Sequence, residues 1–180
     1  MNNIIQNIEN QLLISNAKQR LIWANKIVES RISLKELYPI LMKDNSTSMR
    51  CLWLLGDIAD ISSEYLFNYL EELFQVCSGM KQVEIQASFA KFWALCGIPV
   101  NQESMCIDLL LKWIASPTIN VTTKSRSLLA IKTMINKYPD IKQECLVIIQ
   151  NQCDNHSKDF KKRCEKMIHE LNMIPLQSND

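Results

Sequence analysis

The chain has 180 residues, 47% of them hydrophobic and 22% charged, enough for one globular core without staples. A net charge of +1 excludes a global field that would draw it to nucleic acid or anionic lipid, and three glycines exclude a glycine-rich phosphate cradle. Seven cysteines, none in a C-x-x-C pair and most within apolar stretches, predict free thiols in a reducing interior and not a disulfide framework.

Leu, Ile, Lys, Gln, Glu and Asn dominate, Val is scarce and period-2 alternation never persists, so the expected class is all-α. Met1 to Leu13 has neither a basic start nor a long apolar run, which predicts no signal peptide. No stretch approaches 18 apolar residues, so no membrane span is expected and the predicted compartment is the cytoplasm.

Breaks rich in Ser, Asn, Asp, Gly and Pro cut the chain into ten predicted helices in five pairs. The first pair is 3–13 with 16–30, divided at Ser15-Asn16. The second is 33–43 with 46–61; Ser33 followed by Glu36 has the form of an N-cap. Segment 46–61 is apolar nearly all round, as a helix sandwiched between neighbours must be. The third pair, 63–77 with 82–96, opens at Ser62 with Glu64 in the first turn and contains the Ser78-Gly79 break. The fourth is 102–115 with 121–138, and Pro117 and Pro139 each follow a segment they would end. The fifth is 140–152 with 157–171. Its second member has one apolar stripe (Phe160, Cys164, Met167, Ile168, Leu171) with lysines and Arg163 elsewhere, as the last layer of an array needs. Residues 1–175 are read as one domain and 176–180 as a disordered tail.

The second helices resemble one another. Arg20-Leu-Ile-Trp23-Ala24 aligns with Arg50-Cys-Leu-Trp53-Leu54, with Gln86-Ala-Ser-Phe89-Ala90 and with Arg126-Ser-Leu-Leu129-Ala130. Arg163-Cys-Glu-Lys166-Met167 is a degenerate fifth copy, and the successive steps are 30, 36, 40 and 37 residues. An early Arg or Gln followed by a bulky apolar residue and often Ala resembles HEAT repeats over nearly the whole chain. That resemblance implies a right-handed α-α superhelix of about five antiparallel helix pairs. The second helices would line a concave wall, and the early Arg would tie neighbouring repeats. Gln86 in place of Arg and the charged Lys166 depart from the pattern.

Chemistry-bearing sets are sparse. Cys153, His156, Cys164 and His169 spell C-x2-H-x7-C-x4-H, but Cys164 lies on the apolar stripe and His169 falls off it, so they read as core thiols and surface imidazoles. No P-loop, dinucleotide fingerprint, H-E-x-x-H or nucleophile elbow is present, and no cofactor or metal is expected. Charge is distributed unevenly. Residues 51–80 carry five acids and no base, and 109–139 carry five bases and no acid.

The expected function is therefore a non-enzymatic scaffold that grips a protein partner along the concave face. Lys124, Arg126 and Lys132 are its candidate basic contacts, and Asp57 and Asp60 the acidic counterpart. Trp23 and Trp53, at equivalent repeat positions, are expected to pack between repeats. The alternative is a nucleic-acid binder or a DNA-alkylation-repair glycosylase. Some of those enzymes resemble HEAT stacks and use tryptophans, an acid and basic residues on the inner wall, and Trp53, Asp57 and Arg126 are similar in kind.

Overall fold

The computed structural model describes residues 3–43, 45–78, 83–154 and 156–174. Among the described residues every regular element is a helix. They form two compact units, Met1–Pro99 and Val100–Asp180. The predicted tail at 176–180, Gly79 and the start of the helix predicted at 82 lie outside the described residues.

In the first unit α1 (Asn3–Gln11) runs into a 3-10 turn and is followed by α2 (Ala17–Glu29), α3 (Tyr38–Leu41) and α4 (Asn45–Ile61). Three more helices complete it, α5 (Ser63–Phe67), α6 (Leu70–Cys77) and α7 (Val83–Cys96). The caps explain several of these limits. The Asn16 side chain accepts the Gln19 N–H at 2.9 Å and the Ser62 hydroxyl that of Tyr65 at 3.4 Å. Ser33, expected to cap in the same way, makes no side-chain cap bond. There the chain begins as a 3-10 turn, Leu34–Leu37. Pro39 has no N–H to bond the carbonyl four residues back, so only the four residues of α3 are α-helical. The segment expected as one helix over 63–77 breaks at Asn68, whose side-chain amide donates to the Glu64 carbonyl at 3.2 Å.

The two ends of second helices use different devices. Gly97, at φ +90°, closes α7 in the left-handed region that glycine enters freely. Arg31 does the same for α2 at φ 50°, with the Ile32 N–H donating to the Ile27 carbonyl at 3.0 Å.

Helix α4 packs against α2, α3, α5 and α7, which is why its apolar residues run nearly all round. Cys51, Leu52, Leu54, Leu55 and Ile58 are buried. The core between α6 and α7 is aromatic. Phe89 lies 5.0 Å from Phe74 and 5.7 Å from Trp93, ring centre to ring centre, and edge-on to Phe92. Ties between helices one pair apart show their direction. Arg20 meets Asp57, the Arg50 guanidinium donates to the Ser15 carbonyl at 2.5 Å, and Lys91 donates to the Gly56 carbonyl at 3.1 Å. From Ser15 to Arg20 the partner on α4 advances from Arg50 to Asp57, so α2 and α4 run parallel.

The second unit holds α8 (Glu103–Ala115), α9 (Val121–Lys137), α10 (Lys142–Gln152) and α11 (Lys158–Asn172). Asn120 and Ser157 cap α9 and α11 through the Thr123 and Phe160 N–H groups, at 2.8 and 3.4 Å. Helix α8 pairs with α9, α10 with α11, and α9 also packs on α11. On α11 the predicted stripe is inward: Phe160, Cys164, Met167 and Leu171 are buried, while Ile168 is only half-buried. Burial pushes the Cys106, Cys145 and Cys164 thiols up to about 12, so they are protonated core groups. No helix among the described residues is long and apolar enough to cross a membrane.

Candidate partner-binding surface

The five candidate contacts have different fates. Lys124 is corrected outright: it is fully buried, with its Nζ donating to Gln152 Oε1 at 2.6 Å. It sits on the side of α9 that faces α10 and α11, where Gln152 in turn donates to the Ala115 carbonyl at 3.2 Å. Burial lowers the pKa of the Lys124 ammonium, with Cys164 acting weakly the other way, and His156 is pushed down by burial and by Lys124. The Thr123 and Ser127 hydroxyls and His156 Nε2 are buried there without a hydrogen-bond partner. Lys124 therefore belongs to the interior of the second unit and presents nothing to a partner.

Asp57 and Asp60 are three residues apart on α4 and face the same way, but each is already engaged. Asp57 accepts from Arg20 Nε at 3.1 Å, and Asp60 from Lys91 Nζ at 2.6 Å. Burial pushes the Asp57 carboxyl above its ordinary value, and Arg20 only partly offsets this. One turn before Asp57 on the same stripe lies Trp53, 40% exposed, with the Arg20 and Arg50 guanidiniums 5.4 and 5.1 Å from its ring centre. Trp23, aligned with it in sequence, is 5% exposed. The repeat alignment therefore equates positions that differ in environment, and Trp53 is not packed away between repeats as expected.

Arg126 and Lys132 line a shared groove between α9 and α11. Its upper depression, about 340 Å³, is bounded by Thr122, Ser125, Arg126, Asp159 and Arg163. Its lower one, about 270 Å³, is bounded by Leu129, Lys132, Lys166, Met167 and Glu170, with Ser125 and Arg163 common to both. Glu170 accepts from Lys132 at 2.7 Å and stands 3.8 Å from Lys166. Leu129 is 53% exposed between the two ends.

Sequence reasoning missed Leu129, Arg163, Lys166 and Glu170 as parts of one surface. The signal was present: Arg126–Leu129 and Arg163–Lys166 are the same two repeat positions in consecutive copies. Parallel second helices bring such positions side by side. The four residues of the C-x2-H-x7-C-x4-H set separate as their stripe positions require. Cys153 and Cys164 are buried, His156 stacks edge-on against Phe160 at 5.1 Å, and His169 is exposed. Compared with protein-family models, curated proteins and solved structures, the chain finds no match.

Proposed function

We propose that this chain is a HEAT-like array of helix pairs that acts as a non-enzymatic scaffold, gripping a protein segment along its second helices. The observation that carries this reading is the α9–α11 groove. It sets an exposed leucine between cationic rims that also contain carboxylates and hydroxyls, the mixed lining of a protein-contact surface. The repeat reading is supported by the ion pairs, which recur at about one repeat length. Lys43–Glu9, Arg20–Asp57 and Lys132–Glu170 join residues 34, 37 and 38 apart. The test is affinity capture of the tagged protein from its native lysate, with and without nuclease, beside a Lys132→Glu variant. The scaffold reading expects a defined protein that survives nuclease and is lost with the variant at unchanged melting temperature. Recovery unaffected by Lys132→Glu would mean that the groove is only solvated surface.

A second reading, a nucleic-acid binder or HEAT-like DNA-alkylation-repair glycosylase, draws on one observation. Trp53 is exposed, with Asp57 one turn along α4 and two arginines against its ring. It ranks second because Arg20 already occupies the Asp57 carboxylate. Gel shifts with plain and alkylated duplex decide it: no complex at low salt removes the reading, and a complex lost in Trp53→Ala promotes it.

A further inference from the structure

We infer that the α9–α11 groove takes an acidic peptide segment in extended form, with acidic side chains about three residues apart and an apolar residue between them. This rests on the protein-binding reading and specifies its partner.

Charge is the first argument. Four cations, Arg126, Lys132, Arg163 and Lys166, line the groove against two carboxylates, Asp159 and Glu170. At the lower end Lys132 and Lys166 share the single Glu170 carboxylate, at 2.7 and 3.8 Å, so positive charge there exceeds what the groove itself neutralises. At the upper end the first turns of α9 and α11 lie side by side, and the positive ends of the two helix dipoles add to the potential of Arg126 and Arg163. A ligand that is negative at both ends is complementary to this lining.

Spacing is the second. Arg126 and Lys132 are six residues apart on one helix, a rise of about 9 Å. An extended chain covers that distance in roughly three residues at about 3.3 Å each. Leu129 stands midway, 53% exposed, beside the buried Leu128 and Met167 side chains. An apolar side chain between two acids would cover Leu129 while the acids reach the two cation pairs.

The carboxylates are the third. A nucleic-acid strand carries phosphate on every residue and would set one against Asp159 or Glu170. A peptide can place acids only opposite the cations and offer its own N–H groups to the carboxylates. The observations thus favour a peptide.

The probe is a fluorescein-labelled peptide of sequence SDELSEDS, titrated into the intact chain and followed by anisotropy and by amide NMR shifts. We expect saturable binding that weakens with salt and shifts that centre on residues 122–132 and 159–170. Arg163→Gln with Lys166→Gln, both at exposed positions, should lower affinity about tenfold or more with an unchanged melting curve. A peptide with Ser in place of the central Leu should bind several-fold more weakly. No groove shifts with SDELSEDS at millimolar concentration would overturn the inference. If the charge-reversed peptide SKRLSRKS binds the groove as well, the acidic partner is wrong while the protein-binding reading stands. If a thymidine pentamer shifts the groove and no peptide does, both fall.

Discussion

Each unit ties its own helices together with ion pairs, but the helix at the centre of those ties carries acids in the first unit and bases in the second. In the first unit the central helix α4 supplies the acids, Asp57 and Asp60, and its neighbours α2 and α7 supply Arg20 and Lys91. In the second, α9 supplies the bases. Lys132 meets Glu170 of α11, and Lys137 meets Glu103 of α8 at 2.6 Å, where Tyr138 also donates to the carboxylate. Asp57 and Asp60 of the acidic run at 51–80, and Lys132 and Lys137 of the basic run at 109–139, are thus halves of cross-helix ties completed about one repeat away. The units differ in how the charges are shared. On α4 each of the two acids has its own cation, whereas on the α9–α11 surface two lysines, Lys132 and Lys166, share the one carboxylate of Glu170.

The largest effect should separate positions that the repeat alignment equates. Phe89 and Leu129 share an alignment column, yet Phe89 is fully buried among Phe74, Phe92 and Trp93 while Leu129 is half in solvent. Phe89→Ala should destabilise by about 3–5 kcal/mol in urea unfolding, the usual cost of emptying a buried ring site. Leu129→Ala should change stability by less than about 0.5 kcal/mol, as exposed truncations do. Equal losses at the two positions would show that the alignment, and not local burial, sets the environment.

Lys124 offers a second and smaller contrast, between a buried base and the exposed ones on the same helix. Lys124→Met keeps the length of the stem and removes the desolvated ammonium, so it should stabilise by about 1 kcal/mol at pH 7. The sign with pH follows from the direction of the shift. The folded pKa of Lys124 lies below its ordinary 10.5, so between the two values the unfolded chain binds more protons and stability rises with pH. The advantage of Lys124→Met should therefore shrink as the pH approaches 10.5, read as the difference in urea midpoint between the two proteins. A constant difference across that window would mean that the ammonium is not penalised by its surroundings.

The all-helical class and most helix positions were legible because apolar periodicity, N-caps and prolines act locally. Asn16, Ser62, Asn120 and Ser157 mark true helix starts by accepting N–H groups of their own first turn. The failures share a different origin. Ser33 looks like a cap, but Pro39 downstream removes the N–H that would let an α-helix propagate. Lys124 looks like a surface residue because lysine is seldom buried, and nothing local reveals that Gln152, 28 residues on, receives its ammonium. The candidate surface was half legible for the same reason. Arg126 and Lys132 were found on their own helix, but their neighbours on α11 depend on how parallel helices register.

The smallest effect concerns how much a tie contributes in each unit. The Arg20 and Asp57 side chains are 12% and 24% exposed, against 39% and 30% for Lys132 and Glu170. Less solvent means less screening, so a double-mutant cycle with Arg20→Gln and Asp57→Asn should give a coupling of about 0.5–1 kcal/mol. Raising salt to 0.5 M should remove roughly half of that coupling but nearly all of the weaker one between Lys132 and Glu170. The single variants sharpen the comparison. Burial holds the Asp57 carboxyl above its ordinary value despite Arg20, so the protonated form is favoured by folding, and that contribution is lost as pH rises through the folded value. At neutral pH, ionised Asp57 therefore carries a desolvation cost that only Arg20 offsets. Asp57→Asn should lose little, and Arg20→Gln, which leaves that carboxylate half-buried and unpaired, should lose more. The reverse order would mean that the guanidinium is held by Trp53 rather than by the carboxylate.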